Sequence, residues 1–453
     1  MQSTKIVVVL TIPDKGKENR LTAKQGQMPW WQILYRYSLF ECADSAWSLI
    51  IVSTYFGTFL QVVLKQPGAE FGWAVTVASL LIALVSPVLG AAADHSGSRQ
   101  PYLRFFVFCA VLFTAAFNLA GTVWTAMLLF IPAYIAANAA FTFFTAMLPA
   151  VATERNIATV AGMTVGLGYA GGLASILLLS PLAPTDELVG RIFFPMALLY
   201  FAFAFPAMFL APDFASTGAG RFDMVAAYRR IWQTFKEAKK YRFLFFFLVG
   251  DFLYENAVAS VITLMGLYSR NIMGFSAREL EWVFGPAIIV AMLSAWVIFG
   301  PLIRKIGPKK TVLLDLAIWL ILFAALLLIR PGATLTLGPF ALDGKMLFTY
   351  LVAPLAGMGL AGVWSASRVL LTALTPAHKS GEFWGLYNLS GRTANVLGGA
   401  TWSLILTVLG EQMLGYQIAI IALALYVVAG ALFIIAVPDV RPAVVNFIRP
   451  RAF

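Results

Sequence analysis

Apolar runs of about 20 residues recur along the whole of this chain, and that recurrence leaves few folds open to it. A helix of ~20 residues, rising 1.5 Å per residue, spans a hydrocarbon core about 30 Å thick. Twelve such runs are read, at 34–63, 71–92, 102–121, 123–148, 159–180, 190–210, 243–268, 280–304, 311–330, 347–374, 383–408 and 413–437. No stretch alternates with the ten-residue pattern of a membrane barrel. With 60% of residues apolar and 12% charged, the chain has too few charges to cover a water-facing surface. The expected fold is all-α and polytopic, with 12 transmembrane helices in two six-helix halves.

The net charge of +11 does not read as a nucleic-acid surface, because the basic residues sit where membrane insertion demands them. With both termini inside, the inner segments hold 24 Lys and Arg, the outer loops six, and two lie within spans. That bias sets the orientation: both termini cytoplasmic. The domains expected are an N-tail (1–33), a six-helix half (34–210), a linker (211–242), a second half (243–437) and a C-tail (438–453). The linker stretch "FDMVAAYRRIWQTFKEAKKYRF" mixes Val225, Trp232 and Phe235 with five Lys or Arg before Tyr241, the pattern of an amphipathic helix on the membrane surface. Cys42 and Cys109 fall in spans as small buried residues, and no metal-ligand spacing or cofactor motif is present. The N-terminal apolar run "IVVVL" is too short for a signal-peptide core, so the first span is expected to start insertion. Compact loops and missing targeting signals point to a bacterial plasma membrane and a monomer.

The two halves echo each other. "GAAADHSGSR" follows the second span, and "GPLIRKIGPK" follows the second span of the second half. Gly90, Asp94, Gly97 and Arg99 align with Gly300, Arg304, Gly307 and Lys309 at identical spacing. "ADSA" in span 1 likewise echoes "YENA" in span 7: an acid, a small polar residue, then alanine. Parallel repeats of six helices are the build of an alternating-access transporter, whose site lies near the midplane between halves.

These loops resemble the signature of the major facilitator superfamily, with Gly90, Asp94, Gly97, Arg99, Gly300, Arg304 and Gly307 as the gating loop. Arg304 stands where that pattern usually has an acid, which breaks a symmetric latch. "LFECADSAWS", "AYRRIWQTFKEAKKYRFLFFFLVGDFLY" and "ASRVLLTALTPAHKSGEFWGLYNLSGRTANVLGG" resemble the vacuole-effluxer-like branch, which includes autophagy-related vacuolar amino-acid exporters. The resemblance implies the major facilitator fold and transport, with helices 1, 4, 7 and 10 lining a central cavity. Cys42 and Asp44 stand where the branch commonly has an aromatic residue and Asn.

A carboxylate at a membrane centre costs roughly 2.5–3.5 kcal/mol on insertion scales, so charges inside spans face the bundle interior and pair there. Glu41 and Asp44, at i and i+3, share one face of span 1, a stripe that Tyr37 and Ser48 extend. Asp251 and Glu255 share a face of span 7, Arg368 stands on span 10, and Asn388 and Arg392 stand on span 11. Asn138, with Thr142 and Thr145, adds a polar stripe on span 4. Counted from the inner ends, the charges lie roughly 9–18 Å deep at 1.5 Å per residue. Four acids against two arginines leave two acids over, and a carboxyl that can hold a proton is what proton coupling needs. Arg368 has the planar fork that suits a carboxylate. Some of these charges admit a second use: Asp251 as a structural partner of an arginine, Glu41 in an inner gate, Arg392 as a tie between spans 11 and 2. Asp315, five residues past Lys310, is expected to pair at the surface. "GMTVG" and "GYAGG" in span 5 read as close helix packing.

The expected function is secondary active transport, as symporter or antiporter, of a small polar solute such as an amino acid or small organic anion, with the proton as coupling ion. The alternatives are an exporter or flippase of an amphipathic molecule, and a non-transporting sensor or assembly factor. Walker spacing is absent and no nucleophile–base pair is recognisable, so neither ATP drive nor an enzyme is expected.

Overall fold

The computed structural model describes residues 29–96, 98–151, 157–212, 224–332, 334–337, 340–375 and 380–439. Among them, eleven helices have the length and hydropathy of membrane spans. They are α1 (Trp30–Val63), α2 (Gly68–Ser96), α3 (Gln100–Leu119), α4 (Val123–Ala146), α5 (Ile157–Leu179), α6 (Phe193–Phe209), α7 (Arg242–Asn271), α8 (Ala277–Ile306), α9 (Pro308–Leu328), α10 (Gly344–Leu374) and α12 (Met413–Ile435). The twelfth, α11, is interrupted: Ser380–Arg392 and Ala394–Leu409 meet at Thr393, whose ψ of 2° leaves helix geometry. The chain is thus an all-α multi-pass membrane protein of two six-helix halves. One feature departs from all-α: the connection between α9 and α10 carries an antiparallel hairpin, Thr334–Leu337 with Phe340–Asp343, in which Thr334 pairs Asp343. Alternating Thr and Leu there favour a strand where a loop was expected.

The helices start and stop where local chemistry directs. Thr122 caps α4 and Ser276 caps α8, each in a reciprocal box with the residue three positions on, Thr125 and Glu279. Gly307, at φ 88°, turns the chain between α8 and α9 ahead of Pro308. Just past the break in α11 two amides, the first of them freed by it, find a partner on α7. Asn256 Oδ1 accepts from Leu397 N–H at 3.1 Å and Gly398 N–H at 3.3 Å. Asn256 is fully buried, and its own amide donates to Phe252 O at 2.5 Å. The small polar residue of "YENA" therefore supplies a bond that the helix break removes.

Close approach and aromatic packing assemble the halves. Phe56 of α1, Phe71 of α2, Phe117 of α3, Phe130 of α4 and Phe193 of α6 form one buried cluster. Phe56 stacks on Phe130 at 4.4 Å between ring centroids. Gly171 lets α5 lie on α1: a Cβ there would sit 2.4 Å from Cys42 Cβ. A Cβ on Gly357 of α10 would meet the Ala287 carbonyl of α8 at 2.0 Å. The linker segment folds as a helix over Met224–Ala238, with Val225 and Trp232 exposed and the Tyr228 hydroxyl donating to Leu84 O of α2. Lys236 lies over the Trp232 ring at 5.4 Å.

Two expectations fail in the packing. Asp315 does not pair at the surface: it is fully buried against α10, where a Cβ on Gly362 would meet its Oδ1 at 1.9 Å. Lys310 pairs instead with Asp439 at 3.0 Å. Five residues of helix rotate a side chain by about 140°, enough to turn Asp315 from the rim to the interior. Tyr37 is not part of a cavity stripe; it is buried, stacks on Phe144 at 4.3 Å and donates to Phe144 O at 3.2 Å.

Gly357→Val should destabilise the protein by roughly 1–3 kcal/mol, the scale of core overpacking, because a backbone carbonyl blocks the new side chain. Gly285→Ala on α8, whose Cβ would meet only Leu173 at 3.9 Å, should leave stability unchanged. Thermal unfolding of the purified variants checks both.

Candidate functional site

Between the two halves lies a cavity of about 480 Å³. Its lining brings together Glu41 and Asp44 of α1, Asn138 of α4, Asp251 and Glu255 of α7, and Arg368 of α10. Six of the eight residues expected to bind solute or ion thus meet in one space. The side chains of the other two, Asn388 and Arg392, lie outside the described residues, as do Gly97 and the Asp94 side chain of the gating loop. Gly90 ends up in α2, and Gly300 and Arg304 in the last part of α8, with Arg304 exposed. Arg99 is held within its own half by a 2.8 Å bond to Ala146 O at the end of α4.

Local helix geometry explains how α1 serves the cavity. Glu41 and Asp44 fall in an α-helical stretch, Leu39–Trp47, between π-helical turns at Leu34–Ser38 and Ser48–Tyr55. A π turn takes more residues per revolution and shifts which side chains share a face. The lining therefore continues past Ser45 and Ser48 to Leu49, Val52 and Ser53.

The acids of α7 are tied to α10. Glu255 Oε1 accepts from Trp364 Nε1 at 2.9 Å, and Arg368 stands one helical turn further along the same helix. Asp251 is buried and accepts from the Tyr254 hydroxyl at 2.5 Å, which also meets Ser367 Oγ at 2.7 Å. Among the described residues its contact is therefore a tyrosine–serine relay. On the other side, Asn138 donates to Tyr134 O of its own helix at 2.9 Å. Thr142 and Thr145 bond back to α4 in the same way. Asn395 of α11 reaches across the halves to the Tyr134 hydroxyl at 3.4 Å.

The sequence reading missed part of the lining. Helices 1, 4, 7 and 10 were expected, but α5, α8, α9 and α11 contribute too, through Tyr169, Phe284, Leu322 and Asn395 among others. Small residues give these helices access: Gly168 and Gly172 on α5, Ala287 and Ala291 on α8.

It also missed the closure. At the end of the bundle opposite the termini, polar contacts join the halves. Asp186, between α5 and α6, pairs with Arg270 of α7 and accepts from Ala277 N–H, the first amide of α8, at 2.9 Å. Glu411, between α11 and α12, accepts from Ala69 N–H near the start of α2 at 2.6 Å. It also takes Gln61 at 3.3 Å and Asn271 at 3.0 Å. Each half thus offers a carboxylate from its fifth-to-sixth connection to the N-terminus of the other half's second helix. Positive dipole and free amides favour that placement. Between them the buried Tyr55 hydroxyl of α1 donates to Glu281 of α8.

A twelve-helix bundle of two repeats around one charged cavity is the build of a major facilitator transporter, and comparisons with known proteins agree. The chain belongs to the vacuole effluxer Atg22-like family, whose model matches residues 154–443. It is 24% identical over 420 residues to the uncharacterized MFS-type transporter YxiO of Bacillus subtilis (strain 168), covering 88% of this chain and 94% of that one. Its fold is similar to that of an aspartate-to-alanine mutant of the nucleoside transporter NupG, with TM-score 0.69 at 14% identity over 90% of this chain and 99% of the other. It is also similar to a bacterial homolog of the human lysosomal transporter Spinster, inward-facing and unoccupied, with TM-score 0.65 at 13% identity over 90% and 97% of the two chains. The protein is a multi-pass membrane transporter of the major facilitator type.

Each reciprocal cap lost should cost ~0.5–2 kcal/mol of the closed state. In a Cys42→Ser/Cys109→Ser background, adding Asp186→Ala and Glu411→Ala should raise labelling of Val52→Cys from the capped end by about tenfold, as a two-state shift requires. Rates with a membrane-impermeant maleimide check it, and unchanged labelling would show that the caps do not hold that end shut.

Proposed function

We propose that this chain is a secondary transporter of a small polar solute that carries a carboxylate, an amino acid or small organic anion, and that it works by alternating access with the proton as coupling ion. The observation that carries this reading is a single cavity lined from both halves by charged groups, acids on α1 and α7 and an arginine on α10. A site shared by two halves changes shape when they rock, so binding there couples to access. Arg368 takes the substrate carboxylate through its planar fork. Glu41, Asp44, Asp251 and Glu255 serve an amino group, the proton or the balance of charge, with Asn138, Asn388 and Arg392 as further polar contacts.

The contacts between halves at the end away from the termini support a state closed there and accessible from the terminal side. Positive-inside counting makes the terminal side cytoplasmic and, in a bacterium, the membrane the inner one. In this reading residues 34–210 and 243–437 move as two bodies joined by the 211–242 linker, and the Gly90–Arg99 and Gly300–Gly307 loops meet when the terminal side closes.

Reconstituted protein tests the reading. A thermal-shift screen at two pH values against amino acids, organic acids and sugars should find a stabilising carboxylate, since binding adds RT ln(1 + [L]/Kd) to stability. Arg368→Ala should abolish that shift. Glu255→Gln with Asp251→Asn should leave binding but remove the response of uptake to an imposed pH gradient. Gradient-driven uptake that survives the double substitution would take proton coupling away from α7.

A further inference from the structure

The lining of the cavity is layered. On α1 the acids Glu41 and Asp44 come first from the terminal side, and Leu49 and Val52 follow. On α7 Asp251 and Glu255 precede Val261, Ile262, Thr263 and Met265. On α10, which runs the other way, Arg368 and Trp364 lie on the terminal side of Leu360, Ala356 and Val352. Three helices of two directions and both halves agree: charge toward the terminal side and mostly apolar side chains beyond it, with Ser53, Thr263, Asn395 and Tyr134 as the polar exceptions.

Two further helices line the cavity with mostly apolar residues. α8 contributes Phe284, Ala287, Ile288 and Ala291, and α9 contributes Leu322 and Leu326, with Trp319 nearer the charges. From Glu255 to Met265 is ten residues, and from Arg368 to Ala356 twelve, so the apolar layer reaches roughly 15 Å beyond the charges at 1.5 Å per residue. The alanines facing it leave room that larger side chains would fill.

A wholly polar solute gains little from a layer in which apolar side chains outnumber the polar ones. Its groups would leave water without replacement hydrogen bonds, at a cost that outweighs packing. An apolar body gains instead, by about fourfold in affinity per methylene, which is what ~0.8 kcal/mol converts to at 25 °C.

We infer that the substrate is an amphipathic organic ion. Its carboxylate or zwitterionic head sits between Arg368 and the acids of α1, and an unbranched alkyl or aryl body, longer than a common amino-acid side chain, lies along α7, α8 and α10. The assignment of the head rests on the transport reading above; the assignment of the body rests on the apolar layer.

Binding to full-length protein in lipid nanodiscs separates the two, with empty nanodiscs subtracted. The probes are 2-aminoalkanoates from alanine to 2-aminooctanoate and n-alkanoates from butanoate to octanoate. Affinity should climb about fourfold per methylene in at least one series. Ala356→Phe should flatten that climb while leaving the shortest binder within twofold. Leu322→Ala should move the best fit to a longer chain and guards against a variant that merely misfolds. Arg368→Ala should lower every member equally. A flat series, or a climb that ignores Ala356→Phe, would overturn the amphipathic assignment and leave the head intact. A climb indifferent to Arg368→Ala would instead overturn the head. Failure of every probe to bind folded protein would overturn both.

Discussion

Two carboxylates on crossed helix ends hold this molecule in the shape described. Asp186 meets the first amide of α8, and Glu411 meets an amide in the first turn of α2. The accepting carboxylates sit in the same connection of each repeat and the donating helix ends in the same place of each repeat. Duplicated halves packed about a pseudo-two-fold axis make such contacts in pairs, so one chemical solution closes both sides of the seam. Helix N-termini are suited to it because their amides have no partner inside the helix and their dipole favours an anion. With that end shut, the buried Tyr55–Glu281 bond and the close contact of Gly266 with Ser53 O follow, and the cavity acquires a floor.

That floor decides what the membrane charges can do. Next to it the cavity is mostly apolar, and nearer the termini it is charged. The four cavity acids turn inward: Asp251 and Glu255 are held by Tyr254 and Trp364, and Glu41 and Asp44 look into the same space. The insertion cost of a carboxylate at the bilayer centre is avoided where hydrogen-bond donors and water-accessible volume replace hydrocarbon. The bond from Trp364 also orients the side chain next to Arg368, so acid and arginine arrive at the cavity as one preset group.

Much of this was legible in the residues. Spans follow from run length. The halves follow from the Gly90 and Gly300 motifs, and the cavity acids follow from the rule that charge in a span faces inward. The closure was not legible, because orientation rules weigh Lys and Arg and pass over acids in short outer connections such as Asp186 and Glu411. The participation of α8 and α9 was hidden for a different reason: their lining is alanine, leucine and isoleucine, which read identically whether they face lipid, a neighbour or a void. Asp315 was misjudged because distance along the chain from Lys310 says little about which side of a helix a residue takes. The alternating Thr and Leu before α10 were a strand signal overlooked beside so many helices.

The interrupted α11 ties these parts together. Irregular backbone survives at membrane depth only where protein or a water-filled cavity satisfies it. Here Asn256, beside Glu255 on α7, accepts from two amides after the break, and Asn395 on the same turn faces the cavity and meets Tyr134 of the opposite half. A Cβ on Gly398 would collide with Asn256 O at 2.4 Å, so no larger residue allows this approach. The second part of α11 is therefore fixed to the acid-bearing turn of α7 and also packs along α2 of the first half, where Trp73 Nε1 donates to Thr407 at 3.2 Å and Gly72 and Gly399 allow close approach to Ser403 and Thr76. Any displacement of α7 by what the cavity holds must carry that piece of α11 with it. The break thus joins the cavity lining on α7 to the seam between the halves through Asn256 and Asn395.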